Sequence, residues 1–290
     1  MCSCRGKCGI ELYPTVLYEY IINYCPSSIR QEYLRTEADL KSRGDVKITI
    51  VSTPRNVAAL RASSCASPSS SVISFHVLPF IPADHGLPAD CESTVSLPLP
   101  AFLILFESLE PAFDAYVSGL VEDKDDCVVI ADVFVAWTVR VARRRGCGHA
   151  ILVSCGALGT AILHTLWKNM PALRFHGDGQ LLRLAEHPEV ELRRSQLLQA
   201  FVSGPSPAID RVTAYMHRQI RHGYLTDAVL VNTVEELEPT GLAMARRTIC
   251  SKVPVWPIGA LVRDGSGSET APVKQCIYGI TINRILCAYV

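Results

Sequence analysis

CVVIADVFVAW, residues 127–137, is the stretch whose reading decides the fold. From Cys127 to Ala131 every residue is apolar, with no alternation. A strand with one wet face alternates, whereas a strand covered on both faces reads as a continuous apolar run, the habit of parallel sheets. Residues 127–137 are therefore expected to form a strand of an open α/β sheet. Asp132 interrupts the run near its carboxyl end. An unpaired buried carboxylate is costly. Asp132 is thus either a helix cap or arginine partner, or a functional group, and the residues alone leave these readings level.

Working outward, short apolar runs alternate with helical stretches. KITIVS (47–52) reads as a strand, followed by a Pro-Arg-Asn turn and a short helix through Ala58 to Ala62. SVISFHVLPF (71–80) is a second strand, residues 82–96 a loop, and residues 101–120 a helix. After the deciding strand come a helix near 136–145 stopped by Gly146, a strand at 149–154, and a helix through GALGTAILHTLWKNM ended by Pro171. Residues 174–207 read as irregular and 208–221 as an exposed helix. DAVLVN (227–232) is a fifth strand, with Thr233 expected to cap a helix from Val234, Glu236 completing a capping pair. VPVWPIG (253–259) is the last strand, and VRDGSGSETAPVKQ beyond it a flexible linker.

This order predicts a Rossmann-like parallel sheet with helices on both faces. Ligands of such folds sit beyond the carboxyl ends of the strands. That rule selects residues 76–84, 132–137, 154–159 and 232–236.

The bulk numbers exclude several classes. Of 290 residues, 49% are hydrophobic, enough to bury a large core. Lys+Arg 28 balances Asp+Glu 28, so no long-range field draws nucleic acid or an anionic membrane. No apolar run reaches the roughly 18 residues that span a bilayer, and no secretory signal opens the chain. A cytoplasmic location and reduced thiols are expected for the 12 cysteines. Cys2, Cys4, Cys8 and Cys25 lack the paired spacing of a zinc site, so no metal is expected.

ITIVSTPRNVAALRAS, VVIADVFVAWTVRVARRRG, LVSCGALGTAILHTLW, LVNTVEELEPTGLAMARRT and VPVWPIGALVR occur in one order along residues 45–263. In that order they resemble blocks of the plant UDP-dependent glycosyltransferases. The resemblance implies the N-terminal, acceptor-binding half of a two-domain fold, with an acceptor-binding domain at 45–262, a divergent segment at 1–44, and a linker and truncated tail at 263–290. It implies transfer of a sugar from a UDP-sugar to a hydroxyl of a small apolar acceptor in plant secondary metabolism. The UDP-sugar is a co-substrate; no cofactor is implied. A histidine acts as general base and an aspartate orients it, because a hydroxyl is a poor nucleophile near neutral pH. Asp132 stands at that aspartate's position, Phe134 at one lining the acceptor pocket, and Ser154 at one touching the donor sugar. The competing reading of Ser154 is a helix cap.

Two parts of the family pattern are missing from these residues. No histidine precedes His76, and His76 lies within a strand of its own. The His-Cys-Gly-Trp-Asn-Ser signature that holds the nucleotide sugar is also missing. The chain alone is therefore expected to be inactive. Two alternatives are a non-catalytic binding module, and a cysteine-dependent hydrolase using Cys155 with His149 or His164. Loss of the family's central first strand is expected to leave its neighbours with open edges.

Overall fold

The computed structural model describes residues 47–63, 73–89, 92, 107–120, 127–153, 155–169, 181–184, 186–197, 201, 207–249, 252–259 and 284–288. Residues 1–46, the cysteines at 2, 4, 8 and 25, the start of the helix expected from 101, Ser154 and the linker after 259 lie outside them.

Strands β1 (Lys47–Ser52), β2 (Ile73–Val77), β3 (Cys127–Asp132), β4 (Gly148–Val153), β7 (Ala228–Val231), β8 (Val255–Pro257) and β9 (Arg284–Ala288) form one sheet among the described residues. Its order is β2-β1-β9-β3-β4-β7-β8, and every pairing is parallel. Ala150, Ile151, Leu152 and Val153 are buried in succession. Successive side chains point to opposite faces, so both faces of β4 are covered, as a continuous apolar run requires.

Helices α1 (Pro54–Ser63), α2 (Glu110–Leu120), α3 (Thr138–Arg145), α4 (Ala157–Asn169), α5 (Pro207–Gly223) and α6 (Pro239–Ile249) surround the sheet. α3 ends where expected. Gly146 takes φ 73°, and its N–H returns to the carbonyls of Ala142 and Arg143, the left-handed cap that glycine adopts without a steric penalty. α6 lies close against α4, where Gly241 faces the Leu158 backbone.

The structure corrects several sequence expectations. β3 stops at Asp132, and residues 133–135 turn into a 3-10 helix rather than extending the strand. The reason is local: the Asp132 carboxylate accepts from the Phe134 N–H two residues on. α1 starts at Pro54 rather than near Ala58, since proline fits a helix's first position. α6 starts at Pro239, not Val234, and the buried Thr233 hydroxyl has no hydrogen-bond partner among the described residues. Proline again sets the start, and Thr233 caps nothing there. The stretch read as irregular contains an antiparallel hairpin, β5 (Leu181–Leu184) with β6 (His187–Arg193).

The edges expected to stand open are paired. β9 lies between β1 and β3 and is in register with both: Leu286 faces Thr49 on one side and Val129 on the other. The segment comes from the far end of the sequence, some 150 residues after β3.

Candidate functional site

Because the sheet strands are parallel, their carboxyl ends share one rim. Ser52, Asp132, Val153 and Val231 end β1, β3, β4 and β7 there. Chain reversal at each end leaves N–H groups facing the rim, and a helix N-terminus carries partial positive charge.

After β1, β3 and β4, N–H groups at the rim are met by carboxylates. At α1, Glu92 Oε2 accepts from the Arg55 N–H at 2.7 Å. Glu92 is 6% exposed, and its backbone carbonyl also takes a hydrogen bond from the Asn56 amide. Past β3, Asp132 Oδ1 accepts from the Phe134 N–H at 2.7 Å. At α4, Glu238 takes the Ala157 N–H at 3.0 Å and the Leu158 N–H at 3.3 Å. Each carboxylate sits where an anionic ligand group would otherwise be drawn.

Asp132 is 6% exposed. The Tyr215 hydroxyl from α5 donates to the Phe134 carbonyl and so fixes the same turn from the other side. Tyr215 is buried, and burial together with the negative charge of Asp132 pushes its phenol well above the ordinary tyrosine value. It therefore stays a neutral donor. One residue past Ala136, the Trp137 N–H is taken by Gln219 Oε1, also from α5, at 3.1 Å. α5 thus holds the turn that presents Asp132 and Phe134. Phe134 is half-buried and packs against the core.

The structure brings Asp132 and Phe134 together at the rim; Ser154 is outside the described residues. The cap role weighed for Ser154 is met at Ala157 and Leu158 by Glu238. Neither Glu92 nor Glu238 was read from the sequence, because each closes a helix end far away along the chain.

His76 stands too far from Asp132 to complete an acid–base pair with it. His76, on β2, faces Val51 of β1, and β1 and β9 intervene before β3. Three strand spacings amount to about 14 Å. Its ring stacks on Tyr116 with centroids 3.4 Å apart, and burial lowers its pKa. A core or strand-end role fits these contacts.

The cysteine-hydrolase alternative is not favoured by the contacts of these side chains. The Cys155 thiol lies 3.0 Å from the Thr160 hydroxyl, which itself donates to the Gly156 carbonyl. His164 is buried and its pKa is lowered to about 4, and His149 is held between Thr138 and Thr226. No group of three or more metal-ligating side chains occurs among the described residues. Nor is any helix among them long and apolar enough to cross a membrane.

No family model matches the chain. Among curated proteins it is similar to crocetin glucosyltransferase 3 of Crocus sativus, 34% identical over 224 residues, covering 74% of this chain and 45% of that protein. It is also similar to UDP-glycosyltransferase 92A1 of Arabidopsis thaliana, 29% identical over 277 residues, covering 92% of this chain and 54% of that one. Among solved structures it resembles Glycyrrhiza uralensis UGT73P12, complexed with glycyrrhetinic acid 3-O-monoglucuronide. There the TM-score is 0.61 at 21% identity, over 80% of this chain and 46% of the other. Phytolacca americana UGT2, complexed with UDP-2fluoro-glucose and pterostilbene, gives a TM-score of 0.56 at 17% identity, over 76% and 55%. At these identities the structural likeness establishes the fold. The chain spans about half the length of the curated relatives it matches.

Proposed function

We propose that this chain, a relative of the plant UDP-glycosyltransferases, is the acceptor-binding unit of such an enzyme and receives a small apolar molecule bearing a hydroxyl. The observation that carries the reading is Asp132: a carboxylate 6% exposed at the carboxyl end of a parallel strand, beside half-buried Phe134. The sequence likeness to crocetin glucosyltransferase 3 supports the same reading.

In the proposed reaction a general base takes the acceptor's proton, the oxygen attacks the anomeric carbon of a UDP-sugar, and UDP leaves. Asp132 orients and stabilises the charged base as it forms. Phe134 supplies apolar surface to the acceptor, and Ser154 is assigned the donor-sugar contact by the family resemblance. The rim's own helix ends are closed by Glu92, Asp132 and Glu238, so they offer no ready cradle for the UDP phosphates. With His76 three strands from Asp132, these 290 residues by themselves bind acceptor without turning over UDP-glucose.

Titration calorimetry with a panel of phenolic and terpenoid alcohols tests the reading. Saturable heat is expected for at least one of them, weakened about tenfold or more by Phe134→Ala and retained at the level of a correctly folded control in Glu191→Gln, a hairpin change away from the rim. Flat heats across the panel remove the acceptor-site reading. Turnover of UDP-glucose by the chain alone removes the statement that it lacks a base.

A further inference from the structure

Cys127 opens β3, and Cys147 directly precedes β4. The two strands are parallel with Val128 facing Gly148, so one residue earlier Cys127 faces Cys147. Neighbouring strands lie about 4.8 Å apart, inside the Cα separation that a disulfide bridges. A Cβ on Gly148 would lie 3.1 Å from the Val128 side chain, so the strands are tightly apposed where the two cysteines sit. The Cys147 backbone is held in place by its N–H bond to the Ala142 carbonyl at 2.9 Å. Both sulfurs are reduced thiols and buried, 4% and 7% exposed. They lie within hydrogen-bonding reach of one another, and the Cys127 contact lowers the pKa of Cys147. Cys155, by contrast, has the Thr160 hydroxyl beside it.

We propose that Cys127 and Cys147 form a peroxide-responsive disulfide that staples the base of β3 to the base of β4. Cys147 thiolate attacks one oxygen of hydrogen peroxide; the O–O bond breaks, giving a sulfenic acid and hydroxide. The Cys127 thiol then attacks the sulfenic sulfur, the S–S bond forms, and water leaves. The hydroxide takes up a proton as a second water. Two thiols are oxidised by two electrons in all, and one peroxide is reduced to two waters. Cys147, whose thiol the Cys127 contact makes more acidic than an ordinary cysteine, attacks first, since the thiolate is the reactive form. The bridge closes a loop containing Asp132, Phe134 and α3, and it lies at the opposite end of the sheet from the rim. It therefore restrains the site-bearing segment without entering the site.

The test uses the full chain, reduced, then exposed to hydrogen peroxide, alkylated under denaturing conditions and digested with trypsin without reductant. Arg140, Arg143, Arg144 and Arg145 separate the two cysteines into different peptides. The expected product is one disulfide-linked pair joining the Cys127 and Cys147 peptides, which dithiothreitol resolves. The oxidised chain should melt several degrees higher than the reduced one, because the bridge restricts the unfolded chain. Cys147→Ser should abolish the pair and the melting shift, while Cys155→Ser leaves both. Recovery of both cysteines as alkylated thiols overturns the proposal. So does linkage of either one to a different cysteine, or Cys147 recovered as sulfinic acid with Cys127 still reduced. Because Cys155 shares the tryptic peptide of residues 146–168 with Cys147, fragment-ion sequencing of the linked pair assigns the bridged sulfur, and the wild-type map read in this way decides the matter even if the serine variant does not fold.

Discussion

The Glu238 carboxylate closes the first turn of α4 from 81 positions along the chain, accepting the Ala157 N–H at 3.0 Å. One side chain thereby joins the start of α4 to the start of α6, two helices that already pack together. Glu238→Ala should cost about 1 kcal/mol, the usual worth of a lost N-cap. Glu238→Gln should recover much of it, since an amide oxygen still accepts. Urea midpoints of the three proteins check the order; equal midpoints would show that solvent caps α4 just as well.

Gly241 tests the same junction sterically. A Cβ there would lie 2.7 Å from the Leu158 nitrogen, a backbone atom that cannot swing away. Gly241→Ala should therefore destabilise by roughly 1–3 kcal/mol, the range for overpacking. Alanine's better helix propensity alone would stabilise α6 by about 1 kcal/mol. The sign of the shift in thermal midpoint separates the two effects.

Asp132→Ala should lose the turn at Phe134 as well as the carboxylate. Asp132→Asn keeps an oxygen to accept from the Phe134 N–H. Thermal stability is expected to fall by about 1 kcal/mol in the first variant and by less in the second. Acceptor binding that follows stability in both variants would reduce Asp132 to a cap.

His149 makes the fold sensitive to acid. Its Nε2 lies 3.0 Å from the Thr138 hydroxyl and its Nδ1 2.8 Å from that of Thr226. The Thr138 hydroxyl donates to the Val135 carbonyl, so a neutral ring with its proton on Nε2 satisfies that side. Burial, with a smaller contribution from Arg143, lowers its pKa to about 3. His164 is lowered to about 4, again chiefly by burial. An unfolded histidine titrates near 6.5. Between those values the unfolded chain binds more protons, so this stability is fully present above about pH 6.5 and is lost as pH falls toward 3–4. The urea midpoint should drop between pH 7 and 5, and His149→Gln should flatten that drop. An unchanged slope in the variant would assign the acid response elsewhere.

β9 is the remaining test of architecture. Proline at Leu286 would remove a donor and distort a strand paired on both sides, a position proline does not tolerate. Leu286→Pro should therefore speed amide exchange at Ile50 and Val129, on the strands to either side. Protection unchanged at those amides would mean that β1 and β3 hold together without it.

Some of this protein was legible from short range. The apolar runs at 127–131 and 150–153 gave a parallel sheet because burial on both faces leaves a mark on each strand separately. Gly146 marked its helix end because a left-handed cap needs that residue whatever surrounds it. Asp132 stood out because a carboxylate in an apolar run demands a partner. Thr233 was misread because Pro239 sets the start of α6, and the capping pattern at Thr233, Val234 and Glu236 satisfied a local rule that the fold does not use.

The residues therefore determined, by themselves, the fold class, the rim and the place of Asp132 on it. The tertiary structure alone decided which distant carboxylates close α1 and α4, how far His76 stands from Asp132, and what fills the centre of the sheet. The physical reason is range. Periodicity and caps are settled within a few residues, whereas Glu92 and Glu238 find their partners, and β9 pairs with β1 and β3, only when the whole chain is packed.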